Sequence, residues 1–264
     1  MNLTETLFGI FTSLDLKEAE FSLLTELTAP FGATETALRT ALARMTGKNL
    51  LISERRERKA VYSLSGRGAR VGGNIAAAFS PRDAGGWTGD YWSAGFTLPD
   101  KEKGLRYRVR KKLSAYRFGG WLPGLWIRPV IPAEPPYNGL RELEETSSCR
   151  LMRLCPETPL SEPEIRRIWK LVETSRRLRG ALQRIERELT GLQTLSPREA
   201  FVRRYEVGNE AVSALAEDPL LPEAMTRDNW PGDRLRQIFA LWDREVAERA
   251  HPFYFPLTGK RRNQ

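Results

Sequence analysis

Apolar positions between Thr34 and Leu64 change their period partway along, and the change predicts a helix followed by a hairpin. Ala37, Leu38, Ala41, Leu42 and Met45 recur at helical spacing and share one face, while Glu35, Thr36, Arg39, Thr40 and Ala43 fall opposite. Thr34 carries the hydroxyl of an N-cap, and Gly47 ends the run. Asn49 to Ser53 and Ala60 to Leu64 then have strand composition, leaving Glu54 to Lys59 as a charged tip. Upstream, Phe21, Leu24 and Leu27 stripe a helix over Glu18 to Thr28, and Ala29-Pro30-Phe31-Gly32 breaks it just before Thr34.

Helix, break, helix and hairpin is the layout of a winged helix-turn-helix. The outer face of the second helix is short, polar and singly basic, which suits a major groove about 12 Å wide, where Arg bonds guanine edges and small side chains approach thymine methyls. This reading places Thr34, Thr36, Arg39, Thr40 and Arg44 at bases or phosphates. Arg55, Arg56, Arg58 and Lys59 are placed at phosphate or in the minor groove. An amphipathic helix or a basic turn taken singly is more often only a packed helix or a solvated loop; their combination carries the argument.

Gly66 to Phe79 reads as a last helix of this first domain, and Ser80 to Gly86 as a boundary. Asp90 to Leu98 reads as a strand stopped by Pro99, and Lys101 to Tyr116 as a strongly basic helix with Leu105, Val109, Lys112 and Leu113 along one side. Gly119-Gly120 reads as breaking that helix, and an extended segment follows from Leu122 to Val130, which Pro129 and Pro132 would confine to a sheet edge or truncate. A helical stretch near Gly139 to Thr146 and a strand over Arg150 to Leu154 complete a small α+β sandwich of ferredoxin-like type. From Glu162 the pattern is helical. Ile165, Ile168, Trp169 and Val172, then Leu178, Leu182, Ile185 and Leu189, make one long amphipathic stretch bent near Gly180. Pro197 opens another helix, Asp218 to Pro222 is a rigid turn, and Trp230-Pro231-Gly232-Asp233 starts a final helix to about Arg249. The expected division is a winged helix-turn-helix domain at 1–80, a ferredoxin-like domain at 87–160 and an all-α domain at 161–264, an α+β multidomain protein.

Composition narrows the functional classes. At 264 residues, with 41% hydrophobic and 28% charged residues, the chain has room for two or three domains with ordinary cores. Its formal charge of +9 favours an anionic partner. Between Arg39 and Arg70 only Glu54 and Glu57 oppose Arg39, Arg44, Lys48, Arg55, Arg56, Arg58, Lys59, Arg67 and Arg70, which concentrates the basic surface near the hairpin. The N-terminus lacks a signal peptide's basic start and apolar run, and no 18-residue apolar stretch occurs, so a cytoplasmic protein without membrane partners is expected. Cys149 and Cys155 have no zinc-ligand companions and are expected as free thiols; no metal or cofactor is called for. Asp90 and Asp100 are isolated carboxylates, and His251 reads as a packed terminal residue, so no enzyme is expected.

Three blocks then resemble a known family. GWTGDYWSAGFTLP with the basic helix after it and FGGWLPGLWIRP, the N-terminal APFGATETALRTALARMTGKNLLISERRERKAVYSLSGRG, and DPLLPEAMTRDNWPGDRLRQIF are together similar to the PaaX-like regulators, repressors of phenylacetic acid catabolism. The resemblance implies a homodimeric repressor bound to double-stranded operator DNA, with a winged helix, a middle domain like the Cas2 ferredoxin-like fold and a helical C-terminal domain. It implies release by phenylacetyl-coenzyme A or a related acyl-coenzyme A, for which Arg106, Arg110, Lys111, Trp121, Trp126 and Arg128 are the candidate ligands. The strand after Trp87 ends in Leu98-Pro99-Asp100, where the family has an Ile-Pro-Glu type of sequence. The alternatives are a Cas2-like metal-dependent nuclease and a helical interaction module without operator binding.

Overall fold

A computed structural model describes residues 2–79, 86–97, 103–131, 149–226 and 229–259. It is an α+β protein with two small sheets among many helices. Two compact units form, each discontinuous in sequence: one from 1–80, 178–216 and 234–264, the other from 81–177 and 217–233. The three consecutive domains expected from the sequence are therefore regrouped, because much of the C-terminal third packs with the N-terminal region.

The first unit begins with α1 (Leu3–Ser13), capped by the Asn2 side chain, then β1 (Ala19–Glu20) and α2 (Phe21–Thr28). After a short 3-10 turn come α3 (Glu35–Gly47), β2 (Leu51–Arg56), β3 (Lys59–Leu64) and α4 (Gly66–Ala77). The helix expected from Glu18 starts three residues late, because Ala19 and Glu20 are extended and pair with Tyr62 and Val61. The sheet order is β1-β3-β2, antiparallel throughout. Leu7, Ile10 and Phe11 of α1, Leu24 and Leu27 of α2, and Leu38, Leu42 and Met45 of α3 fill its core. Gly68 is required where α4 meets the sheet, since a Cβ there would lie 2.2 Å from the Leu50 carbonyl oxygen.

Later helices complete this core. In α8 (Pro197–Ala216), Phe201 and Tyr205 are buried, and the Phe31 ring lies 5.8 Å from that of Phe201. The Tyr205 hydroxyl bonds the Ser13 hydroxyl at 2.7 Å, and burial pushes its pKa up to about 12. The final helix, α9 (Pro231–Thr258), runs past the expected end near Arg249 and through Pro252 and Pro256. Each proline forfeits a backbone donor, but the turns they interrupt place Phe253 and Tyr254 against Phe201. His251 stacks on Phe255 at 4.8 Å. Arg204 forks onto Asp243 at 2.8 and 3.1 Å, joining α8 to α9.

The second unit holds β4 (Tyr91–Phe96), α5 (Lys103–Ala115), β5 (Gly119–Leu122), β6 (Leu125–Pro129), β7 (Cys149–Leu154) and α6 (Glu162–Ile168). The second strand segment is a hairpin turning at Pro123-Gly124; α5 ends before Gly119-Gly120, as expected, and Gly119 begins β5 where a side chain has no room. The reason is close packing: a Cβ on Gly119 would sit 2.4 Å from Ile168. Strand order is β5-β6-β4-β7, so β6 is internal, and of the two effects expected of the prolines it is truncation that occurs: the strand ends at Pro129. The helix expected near Gly139 to Thr146 lies outside the described residues. α7 (Leu171–Gly191) follows a break at Lys170, whose φ is +49°; Gly180, the expected bend, lies within the continuous helix. Val172, placed on the apolar stripe by its spacing, is exposed. Cys149 is buried and Cys155 exposed, and neither is in a disulfide.

The block at Asp218 owes its composition to a polar clasp. The Asp218 carboxylate is fully buried and accepts from the Leu220 backbone N–H at 3.1 Å and from Trp230 Nε1 at 3.2 Å. Removing it strands two buried donors, each costing about 1–3 kcal/mol. Asp218→Ala should therefore destabilise the protein by about 2–5 kcal/mol in urea unfolding, with Asp218→Asn, which keeps the size and an accepting oxygen, costing clearly less.

Candidate nucleic-acid interface

The face that α3 turns to solvent is set by what its other face buries. Leu38, Ala41, Leu42 and Met45 are buried, and Thr36, Arg39, Thr40, Ala43 and Arg44 are exposed. Ala37, assigned to the buried face by its spacing, is also exposed. Thr34 acts as the helix cap: its hydroxyl oxygen accepts from the Ala37 N–H at 3.2 Å. The Thr40 hydroxyl donates to the Thr36 carbonyl at 2.9 Å.

Arg39 is held on the surface between two neighbours. Its guanidinium lies 4.2 Å from the centre of the Phe21 ring and 3.4 Å from Glu35 Oε2. Both charged side chains are more than 60% exposed, so the pair itself adds little stability. Its effect is positional, since ring and carboxylate aim the guanidinium across the outward face of α3.

The hairpin is longer and tighter than its composition suggested. Strand pairing continues to Arg56 opposite Lys59, leaving a two-residue loop, Glu57-Arg58. Both loop residues have left-handed backbone, φ +47° and +74°, as a type I′ turn demands. Such turns favour Asn-Gly, so two long charged side chains there sit at a conformational cost. The missed signal is physical: without Asn or Gly in the loop, the charged run from Glu54 to Lys59 does not show which two residues turn.

The four hairpin cations fall into two environments. Arg56 bonds Glu18 through Nη1 at 2.7 Å and Glu54 through Nε and Nη2 at 3.1 and 2.8 Å. Lys59 Nζ reaches Glu20 at 3.0 Å. The hydrogen bond that Arg56 donates to Glu54, then the one it donates to Glu18, raises its pKa above the ordinary value. Among the described residues, Arg55 and Arg58 have no side-chain partner, and neither has Arg44.

In the second unit the candidate effector ligands are divided. Arg110 and Lys111 are exposed on α5, and Arg106 is half-buried. Trp126 packs against the core of Ala94, Phe96, Val109 and Leu113, as does Trp92. The Trp121 carbonyl accepts from Arg167 at 3.4 Å, and Arg128 pairs in register with Trp92 across β6 and β4. Asp90 is occupied by Arg153 at 2.5 and 3.0 Å; its hydrogen bond from Arg153 comes first among the causes that lower its pKa, followed by one from Cys155. Asp100 lies outside the described residues. No group of three or more His, Cys, Asp or Glu able to hold a metal ion occurs among the described residues, and no described helix is long and apolar enough to cross a membrane.

The model of the PaaX-like protein family matches residues 3–68, and that of the PaaX-like protein C-terminal domain matches residues 169–255. Together they span more than half of the chain. No curated protein matches it. Among solved structures, an uncharacterized protein, Rv0674 from Mycobacterium tuberculosis, is similar with a TM-score of 0.57 and 25% identity, over 88% of this chain and 90% of that one.

The turn geometry gives a direct test. Glu57→Asn with Arg58→Gly should relieve the left-handed strain and stabilise the protein by about 1 kcal/mol, read as a raised thermal midpoint. No gain would mean that the tip is not the tight turn described.

Proposed function

Because the chain belongs to the PaaX-like protein family, we propose that it is a DNA-binding transcriptional regulator, a homodimeric repressor of a phenylacetate-type catabolic operon that an aryl-coenzyme A thioester releases from its operator. The observation that carries this reading is the first unit's order of helix, strand, two helices and hairpin, with a short polar face on α3 and unpaired cations at the hairpin tip. That arrangement supports a winged helix-turn-helix in which Thr36, Arg39, Thr40 and Arg44 meet a major groove and the hairpin tip meets backbone phosphate. Thr34 serves the same face by capping its helix.

A dimer follows from the reading. One short helix reads too few base pairs for operator specificity, and two half-sites about one helical turn apart multiply it. In the second unit the sheet order β7-β4-β6-β5 places the fourth strand beside the first, then the third and second, which supports a ferredoxin-like, Cas2-like domain. The family is one of regulators, and Asp90 is engaged by Arg153, so a metal-dependent nuclease gains no support. The protein works in the cytoplasm, where its DNA is.

The effector reading rests on charge. α5 carries Lys103, Arg106, Arg108, Arg110, Lys111 and Lys112 with no acidic residue, a setting suited to the phosphates of coenzyme A. Arg106, Arg110, Lys111 and Arg128 would hold those phosphates, and Trp121 and Trp126 would border the acyl end.

A mobility-shift titration against DNA upstream of the protein's own and neighbouring genes, at fixed salt, should show binding that phenylacetyl-coenzyme A releases. Arg39→Ala should weaken operator binding by roughly 5- to 150-fold and reduce selectivity between sequences, the loss of about 1–3 kcal/mol of base discrimination; full retention would remove α3 as the recognition element. Calorimetry with phenylacetyl-coenzyme A should show binding that Arg110→Ala with Lys111→Ala weakens at least tenfold, and no heat with any acyl-coenzyme A would discard the effector.

A further inference from the structure

The hairpin of the first unit carries cations on both of its faces, yet only one face is supplied with carboxylates. Pairing fixes the faces: Glu54, Arg56, Lys59 and Val61 share one, with Glu20 opposite Val61 on β1, while Ser53, Arg55, Ala60 and Tyr62 share the other. On the first face Glu18, Glu20 and Glu54 hold Arg56 and Lys59 through contacts of 2.7 to 3.1 Å. Glu18, Glu20, Arg56 and Lys59 border an open cleft of about 470 Å³ that Leu23 and Val61 also line. Among the described residues, Arg55 on the other face and Arg58 at the tip have no side-chain partner.

We propose that Glu18, Glu20 and Glu54 form a carboxylate latch that withholds Arg56 and Lys59 from phosphate, leaves Arg55 and Arg58 as the wing's phosphate-binding cations, and so restrains binding to non-operator duplex. The inference rests on the DNA-binding reading and adds a determinant of selectivity to it. Sequence-independent affinity comes from cations that neutralise phosphates and release their counterions. A cation already neutralised by a carboxylate must give up that partner before it binds phosphate, and the freed carboxylate is left facing the duplex. Arg56 therefore contributes less than its formal charge suggests. Each pair is exposed and weak taken singly, but Arg56 would have to release two carboxylates at once. Arg56 and Lys59 are in this account positioning residues: they tie the hairpin to β1 and fix the direction of its tip.

The test is the salt dependence of binding to a random-sequence duplex and to an operator duplex, followed by fluorescence anisotropy between 50 and 200 mM salt. Arg55→Gln with Arg58→Gln should flatten the log–log slope by about 2, at about 0.9 for each lost contact. Arg56→Gln with Lys59→Gln should change it by less than about 1. Glu18→Gln, Glu20→Gln and Glu54→Gln together should steepen the slope and raise affinity for random duplex on the order of tenfold, with a smaller gain on operator. Far-ultraviolet circular dichroism confirms that each variant is folded. Equal flattening by the two cation pairs would overturn the latch, as would an unchanged slope in the triple glutamine variant. Failure of the wild-type protein to bind any duplex would instead overturn the regulator reading, and the latch with it.

Discussion

The burial of one stripe of α3 is the constraint on which the rest of this unit depends. Leu38, Ala41, Leu42 and Met45 must leave water together, and a helix can satisfy that only by turning Thr36, Arg39, Thr40 and Arg44 outward. The outward polar face is thus a consequence of the core. α1 and α2 receive the stripe through Leu7, Ile10, Leu24 and Leu27, and the turn at Ala29 to Gly32, with Gly32 at φ +71°, sets the angle between α2 and α3. The same turn places Phe31 beside Phe201 and Tyr205.

That last contact ties the N-terminal region to α8 and α9. A core assembled from segments far apart in sequence costs more chain entropy to close than a local one, and the aromatic cluster of Phe31, Phe201, Tyr205, Phe253 and Tyr254 with the Arg204–Asp243 fork supplies the compensation. It also explains why α9 continues through two prolines: ending it at Arg249 would remove Phe253 and Tyr254 from that cluster.

How far the sequence revealed all this depended on whether the signal was local. The stripe and cap of α3 were legible, since period 3.6 and a threonine cap act within a few residues of each other. The strand at Ala19–Glu20 was not, because its cause is a partner forty residues away in β3. The register at Arg56 and Lys59 escaped for the same reason, and with it the ion pairs to Glu18 and Glu20; like charges in a row look like a solvated tip until an opposing strand shows which carboxylates they meet. Gly119 read as a breaker because its real requirement, the side chain of Ile168 against its Cα, belongs to a distant helix. Regrouping of α8 and α9 with the first unit likewise rests on contacts that no window of sequence contains.

In the proposed function, the outward face of α3 and the tip of the β2–β3 hairpin bind duplex DNA together. The most direct measurement is protection of those two segments from hydrogen exchange on addition of an operator duplex isolated by selection from genomic fragments. Protection concentrated in residues 34–48 and 54–59 is the predicted result. Duplex binding that leaves both segments unprotected while protecting α5 of the second unit would contradict it.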